Sequence, residues 1–190
     1  YQELLVLQPS NKLVQSRIAQ IALWSSDYPL AVKRLEALLD KPLDELKPAV
    51  VDQLWQDYVD ACAGVESLTA NQAKLARKAI DRKPFAQSTD PSRLSRLATV
   101  LFNANEPDSA NTVLDWAVKL PVTDSKTRND LATVLSRAKR YREAVAILEN
   151  EVPTTNAERV RLAELYAQAF NFTKSADLIA SVLNTEPGNH

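Results

Sequence analysis

From Leu97 to Leu131 is 34 residues, and from Ala110 to Ala144 is 34 again. Each of these leucines is followed by an alanine, as Leu97-Ala98 and Leu131-Ala132, and each has a second alanine thirteen places on. Leu101, Leu114 and Ala117 complete the first copy; Leu135, Tyr141 and Leu148 complete the second. Two helices cross closely only where one offers a small side chain to the other. The spacing therefore predicts two copies of one helical hairpin between Asp90 and Glu151, and any fold for this chain must accommodate them.

The flanks follow the same rule. Ile18-Ala19 takes the Leu-Ala role in residues 12–40, with Ala22 one turn on. Asp27-Tyr28-Pro29 makes the corner, and Ala31, Leu35 and Leu38 form the inner face of the second helix. Asp27 suits an N-cap and Pro29 a first-turn position, where a missing N–H is not needed. Residues 156–186 repeat the scheme with Leu162-Ala163, Tyr166, Phe172, Ser175 in the alanine place, Ile179, Val182 and the closing Pro187, behind a Thr155-x-x-Glu158 capping box.

Residues 48–83 are less regular. Leu54, Trp55, Tyr58 and Ala61 recur at helical spacing until Gly64, and Thr69 with Gln72 opens another helix through Ala73, Ala76 and Ile80. Leu54 to Ala73 is 19 residues where the other hairpins show 13. Either the loop is longer here, or the frame shifts so that Trp55 is the opening aromatic of the pair. Pro42 and Pro48 bracket one linker, and Gln87 to Pro91 forms another that ends in an N-cap and a first-turn proline. All ten prolines fall at predicted helix starts or in linkers, and two glycines with no alternating apolar stretch leave no case for a sheet.

Built this way, a period of 34 resembles the tetratricopeptide repeat (TPR), whose pattern is a large residue, Leu-Gly/Ala, Tyr, Ala, a bulky apolar residue, Ala and Pro. The resemblance implies an all-α, right-handed superhelix of antiparallel helix pairs, a TPR-like α-solenoid of about five pairs spanning 1–190. Its pairs would be 12–40, an irregular 48–83, 91–120, 125–151 and 156–186. Tyr1, Leu4 and Pro9 fit the end of a preceding repeat over 1–8, so the chain is expected to be a piece of a longer array.

Composition narrows the function. With 45% hydrophobic and 25% charged residues the chain has ample material for a core, and a net charge of −1 gives no footprint for nucleic acid. No run of about 18 apolar residues is present to span a membrane. Chemistry is sparse. The single histidine is His190, the last residue, so neither a metal site nor a histidine-based triad can be assembled, and no cofactor is expected. Cys62 sits in an apolar helical setting without a basic neighbour and reads as a core filler. Asp44-Glu45 reads as solvated linker charge, and Arg77, Lys78, Arg82 and Lys83 as a solvated face. The chain is not expected to be an enzyme.

The TPR resemblance also implies a concave groove lined by the first helix of each pair. Its groove positions fall on Ser16, Gln20 and Trp24, on Ser95, Thr99 and Asn103, and on Asn129, Thr133 and Arg137. The Lys and Asn pairs with which some TPR domains clamp a terminal carboxylate are missing, since Ser16 and Gln20 stand in those places. Lys139, Arg140 and Arg142, beside Arg137, make a basic corner suited to an acidic partner or a polysaccharide.

A second resemblance rests on Leu7-Gln-Pro9, on Arg17 to Trp24, and on Asp27-Tyr-Pro29. These runs are similar to the periplasmic TPR regions of bacterial exopolysaccharide (biofilm) export proteins of the Pel or cellulose type. That similarity implies a periplasmic part of a larger outer-membrane protein, recruiting a polysaccharide-modifying enzyme and guiding polymer to its pore. A cytoplasmic TPR adaptor and the helical superhelix of a lytic transglycosylase-like enzyme remain alternatives.

Overall fold

Helix starts are marked in this chain by side chains that satisfy the first, otherwise orphaned N–H groups. The computed structural model describes residues 11–185, and every one of its longer helices has such a start or a first-turn proline among those residues, or follows directly on a tight corner. Asn11 caps α1 (Lys12–Trp24), accepting from the N–H groups of Leu13 and Val14 at 3.0 and 3.2 Å. Asp27 accepts from Leu30 N and opens α2 (Tyr28–Leu39), with Pro29 as its second residue. Pro48 begins α3 (Pro48–Ala63), and the Thr69–Gln72 capping box begins α4 (Ala70–Ala79). A single turn, α5 (Lys83–Ala86), precedes α6 (Pro91–Asn103), which Asp90 caps, and α7 (Pro107–Ala117). Asp124 caps α8 (Ser125–Arg137); α9 (Tyr141–Leu148) follows it, then α10 (Asn156–Gln168) behind the Thr155–Glu158 box, and α11 (Phe172–Thr185).

The protein is all-α: these eleven helices and no strand make up the described residues. Tyr1, Leu4, Pro9, Pro187 and His190 lie outside them. Contacts group the chain into two compact units, Tyr1–Trp116 and Ala117–His190. In the first, α1 packs on α2, α2 on α3, and α3 on α6, with α4 and α5 also against α6. In the second, α8 packs on α9, α9 on α10, and α10 on α11.

Small residues sit at the crossings. Ala19, Ala31, Ala98, Ala110, Ala132 and Ala144 are fully buried, as are the adjoining Leu35, Leu97, Leu101, Leu131 and Leu135. Ser175, in the last hairpin, is half-buried. The irregular hairpin departs where an alanine is missing. Trp55 occupies that place and is buried, edge-to-face with Tyr58 at 6.4 Å and with the Arg82 guanidinium 4.7 Å above its ring. The indole keeps α4 from nesting as the other second helices do, and the connection lengthens to residues 64–69. Tyr58 OH donates to Gln72 O at 2.9 Å and holds α4 in place. Within α4 the buried small residues are Ala76 and Ala79, while Ala73 is only half-buried. Between the irregular pair and the linker that begins at Gln87, the chain forms α5, whose Phe85 is buried.

Four hairpins close through one kind of corner. The middle residue of each three-residue turn is left-handed: Ser26 (φ 61°), Asn105 (58°), Lys139 (59°) and Phe170 (63°). The N–H of the next residue, at Asp27, Glu106, Arg140 and Asn171, donates to a carbonyl five residues back at 2.8–2.9 Å. This is the Schellman arrangement usually closed by glycine, here built without one. Gly64 ends α3 for another reason. Its φ is an ordinary −89°, but a Cβ there would stand 2.3 Å from Tyr28 Cγ. Glycine leaves the space that the Tyr28 ring fills.

Two substitutions test this packing. Ala144→Phe overpacks the α8–α9 crossing and is expected to cost about 1–3 kcal/mol in urea denaturation. Gly64→Ala should cost a similar 1–3 kcal/mol, roughly, since the Tyr28 ring must shift. Most of that loss should vanish when Tyr28 is first shortened to Leu.

Candidate interaction face

The residue immediately before each Leu-Ala pair of a leading helix lies at the edge of the buried seam, from which a long side chain can reach sideways. In the first unit these residues are Arg17, Gln53 and Arg96. Arg17 Nη1 donates to Gln20 Oε1 at 2.7 Å, and Gln20 Nε2 donates to Asp57 Oδ2 at 2.9 Å, joining α1 to α3. Gln53 Nε2 donates to the other oxygen of Asp57 at 2.8 Å. Arg96 Nη1 pairs with Asp60 Oδ1 at 2.7 Å and joins α6 to α3. In the second unit Arg161 of α10 reaches α8. Its Nη1 donates to Asn129 Oδ1 at 3.0 Å, and its Nη2 donates to Asn129 O at 2.9 Å and to Thr133 Oγ1. The leading helices of each unit are thus laced together by side chains that satisfy one another.

Asp57 is the most constrained member. It is 5% exposed, and burial raises its carboxyl above the usual range, against the lowering effect of the two glutamine donors. The nearby Asp60 charge raises it further, while Arg17 pulls it down. Beside Arg161 the face opens into a cleft of about 360 Å³ lined by Thr133, Ser136, Glu164 and Gln168, among others.

The residues expected on the groove fall into four groups. Gln20, Asn129 and Thr133 belong to the lacing just described. Ser16 and Ser95 are buried in the packed crossings; Ser16 Oγ donates to Leu13 O at 2.8 Å. Thr99 is half-buried, donating to Ser95 O at 3.0 Å, and Asn103 is also half-buried. Arg137 is exposed, and Trp24, at 75% exposure, is open to solvent at the end of α1. At the basic corner, Lys139 and Arg142 are exposed. Arg140 grips Glu143 through Nε and Nη2 at 2.7 and 2.6 Å. Asp57, Asp60, Arg96 and Arg161 went unremarked in the sequence. For Arg96 and Arg161 the signal is the position ahead of the Leu-Ala pair, which Arg17, Gln53 and Asp130 hold in the other leading helices; Asp57 and Asp60 stand three and six residues after Leu54 and carry no such mark.

Cys62 is buried, with its thiol pushed up to about 12 by burial, and it stays protonated at neutral pH. Among the described residues no group of three or more His, Cys, Asp or Glu is placed to hold a metal ion. None of the described helices is long and apolar enough to cross a membrane.

The chain is similar in structure to several solved proteins. A crystal structure of MamA protein superposes with a TM-score of 0.59 at 14% identity, over 93% of this chain and 92% of that one. The MamA AMB-1 structure gives 0.56 at 17% identity, over 94% and 93%. BtubC from P. vanneervenii gives 0.53 at 15% identity, over 100% and 87%. No family model matches the sequence, and no curated protein does. These likenesses give the fold, which is TPR-like, and lend nothing to the exopolysaccharide-export resemblance.

Asp57 makes the face sensitive to pH in a defined direction. Its native pKa lies above the unfolded value of about 3.9, so the native state holds the proton more tightly. The stabilisation this supplies is complete below the unfolded value and is lost as pH rises through the raised native one. Urea denaturation at a series of pH values should show wild-type stability falling, relative to Asp57→Asn, across that window. Parallel profiles for the two proteins would show that burial does not perturb this carboxyl.

Proposed function

We propose that this protein is a non-catalytic scaffold that binds a segment of another protein along the face of its leading helices. The observation that carries the reading is the lacing of that face. Asp57, Gln20 and Gln53 in one unit, and Arg161, Asn129 and Thr133 in the other, are already held in fixed positions by one another. A surface whose rotamers are fixed before binding loses less entropy on association, so a polar and open face can still bind with useful affinity. The TPR-like fold supports the reading, since within a unit it sets successive first helices side by side, where one ligand can meet more than one of them.

The setting we propose is periplasmic, in a bacterial exopolysaccharide export protein whose partner is a polysaccharide-modifying enzyme. The similarity of the runs between Leu7 and Pro29 to that group is its support.

Photo-crosslinking tests the face directly. A crosslinking residue at Gln20, Thr99 or Ser136 should capture one partner in cells. The same residue at Lys33 or Asp115, exposed on second helices, should not. Equal capture from both sets, or capture only from the second, would overturn the assignment of the face.

A further inference from the structure

The corner at Phe170 breaks a pattern that the other three keep. Ser26, Asn105 and Lys139 place polar side chains on the left-handed residue, whereas the fourth corner places a phenylalanine there. An L-residue in this conformation is strained, and phenylalanine has no short polar group to offset that by local hydrogen bonding. The ring is also 81% exposed. Two residues on, Phe172 is 64% exposed, and the two rings meet edge-to-face with centroids 6.3 Å apart and planes at 86°. A bulky side chain held both strained and wet is a poor choice for folding and a good one for contact.

The neighbouring corner of the same unit supplies charge. Lys139 and Arg142 are exposed and have no ion-pair partner among the described residues, while Arg140 is already engaged by Glu143. The two corners share a cleft of about 320 Å³, whose lining includes Lys139, Arg142, Tyr141, Gln168 and Phe170. Glu143 lines the same cleft but is held by Arg140, so an apolar anchor adjoins two cations that no carboxylate pairs with.

We propose that these paired corners are a second docking surface, adjoining the leading-helix face at Gln168, for an acidic peptide segment that carries a large apolar side chain. That side chain seats against Phe170 and Phe172, and flanking carboxylates meet Lys139 and Arg142. Charge complementarity selects the acidic partner. The right angle between the rings favours an inserted side chain over a sugar, which stacks best on a single flat face.

The test is fluorescence polarisation with a short labelled peptide in which a Leu-Phe pair is flanked on both sides by Asp and Glu. Wild type should bind it saturably, and added salt should weaken the binding. Phe170→Ser should weaken it at least about tenfold, as should Lys139→Asn combined with Arg142→Gln, and so should Ala-Ala in place of Leu-Phe in the peptide. Serine and asparagine already occupy this corner elsewhere in the chain, so both variants keep the fold, which circular dichroism verifies. Gln20→Ala and Thr133→Ala, on the leading-helix face, should leave the affinity unchanged, so a failure here is distinct from a failure of the scaffold reading. Absence of saturable binding, binding that survives both corner variants, or equal binding of a polyuronate oligosaccharide would each overturn the proposal.

Discussion

Everything in this molecule depends on how closely two helix backbones approach where each helix of a pair buries an alanine. With methyl groups at Ala19, Ala98 and Ala132 on the first helices, and at Ala31, Ala110 and Ala144 on the second, a hairpin can close through three residues. Leucines on either side then interlock and exclude water, which provides the main stabilisation. Trp55 shows the rule by its exception. One large side chain at that place goes with a longer connection, a displaced second helix and an added turn, α5, whose Phe85 is buried beside α3 and α6.

Close packing also sets what the polar residues do. Short hairpins bring leading helices of a unit near enough for one side chain to span the gap. Gln20 reaches Asp57, Arg96 reaches Asp60, and Arg161 reaches Asn129 and Thr133. A polar group at such a seam would be costly if it lost water without gaining a partner. Mutual satisfaction removes that cost and leaves a face that is both hydrated and fixed. Lys139 and Arg142 are arranged in the opposite way, exposed and without a counter-charge among the described residues.

Much of the fold was legible in the sequence because it is written in residue size. The 34-residue spacing locates the hairpins, and the caps at Asp27, Thr69, Asp90 and Thr155 locate helix starts, since each acts within a few residues of itself. The lacing was not legible. Arg96 and Asp60 stand 36 residues apart, and their meeting depends on where two helices lie, which local pattern does not encode. Ser16 and Ser95 illustrate the same limit from the other side. A frame that counts residues places them on an open wall, yet a small hydroxyl bonded to its own helix, as in Ser16, is easily covered by larger neighbours. The left-handed corners were hidden as well, because the expected sign is glycine and the chain has only two.

The corners have a wider consequence. Main-chain hydrogen bonds define their shape, and the side chain at the centre stays exposed, outside the alanine seams. Natural variation can therefore exchange a serine, an asparagine, a lysine or a phenylalanine at that point while the alanine seams stay untouched. Recognition and core packing are then inherited on separate sets of positions, and a new specificity at a corner costs only the local strain of the residue placed there.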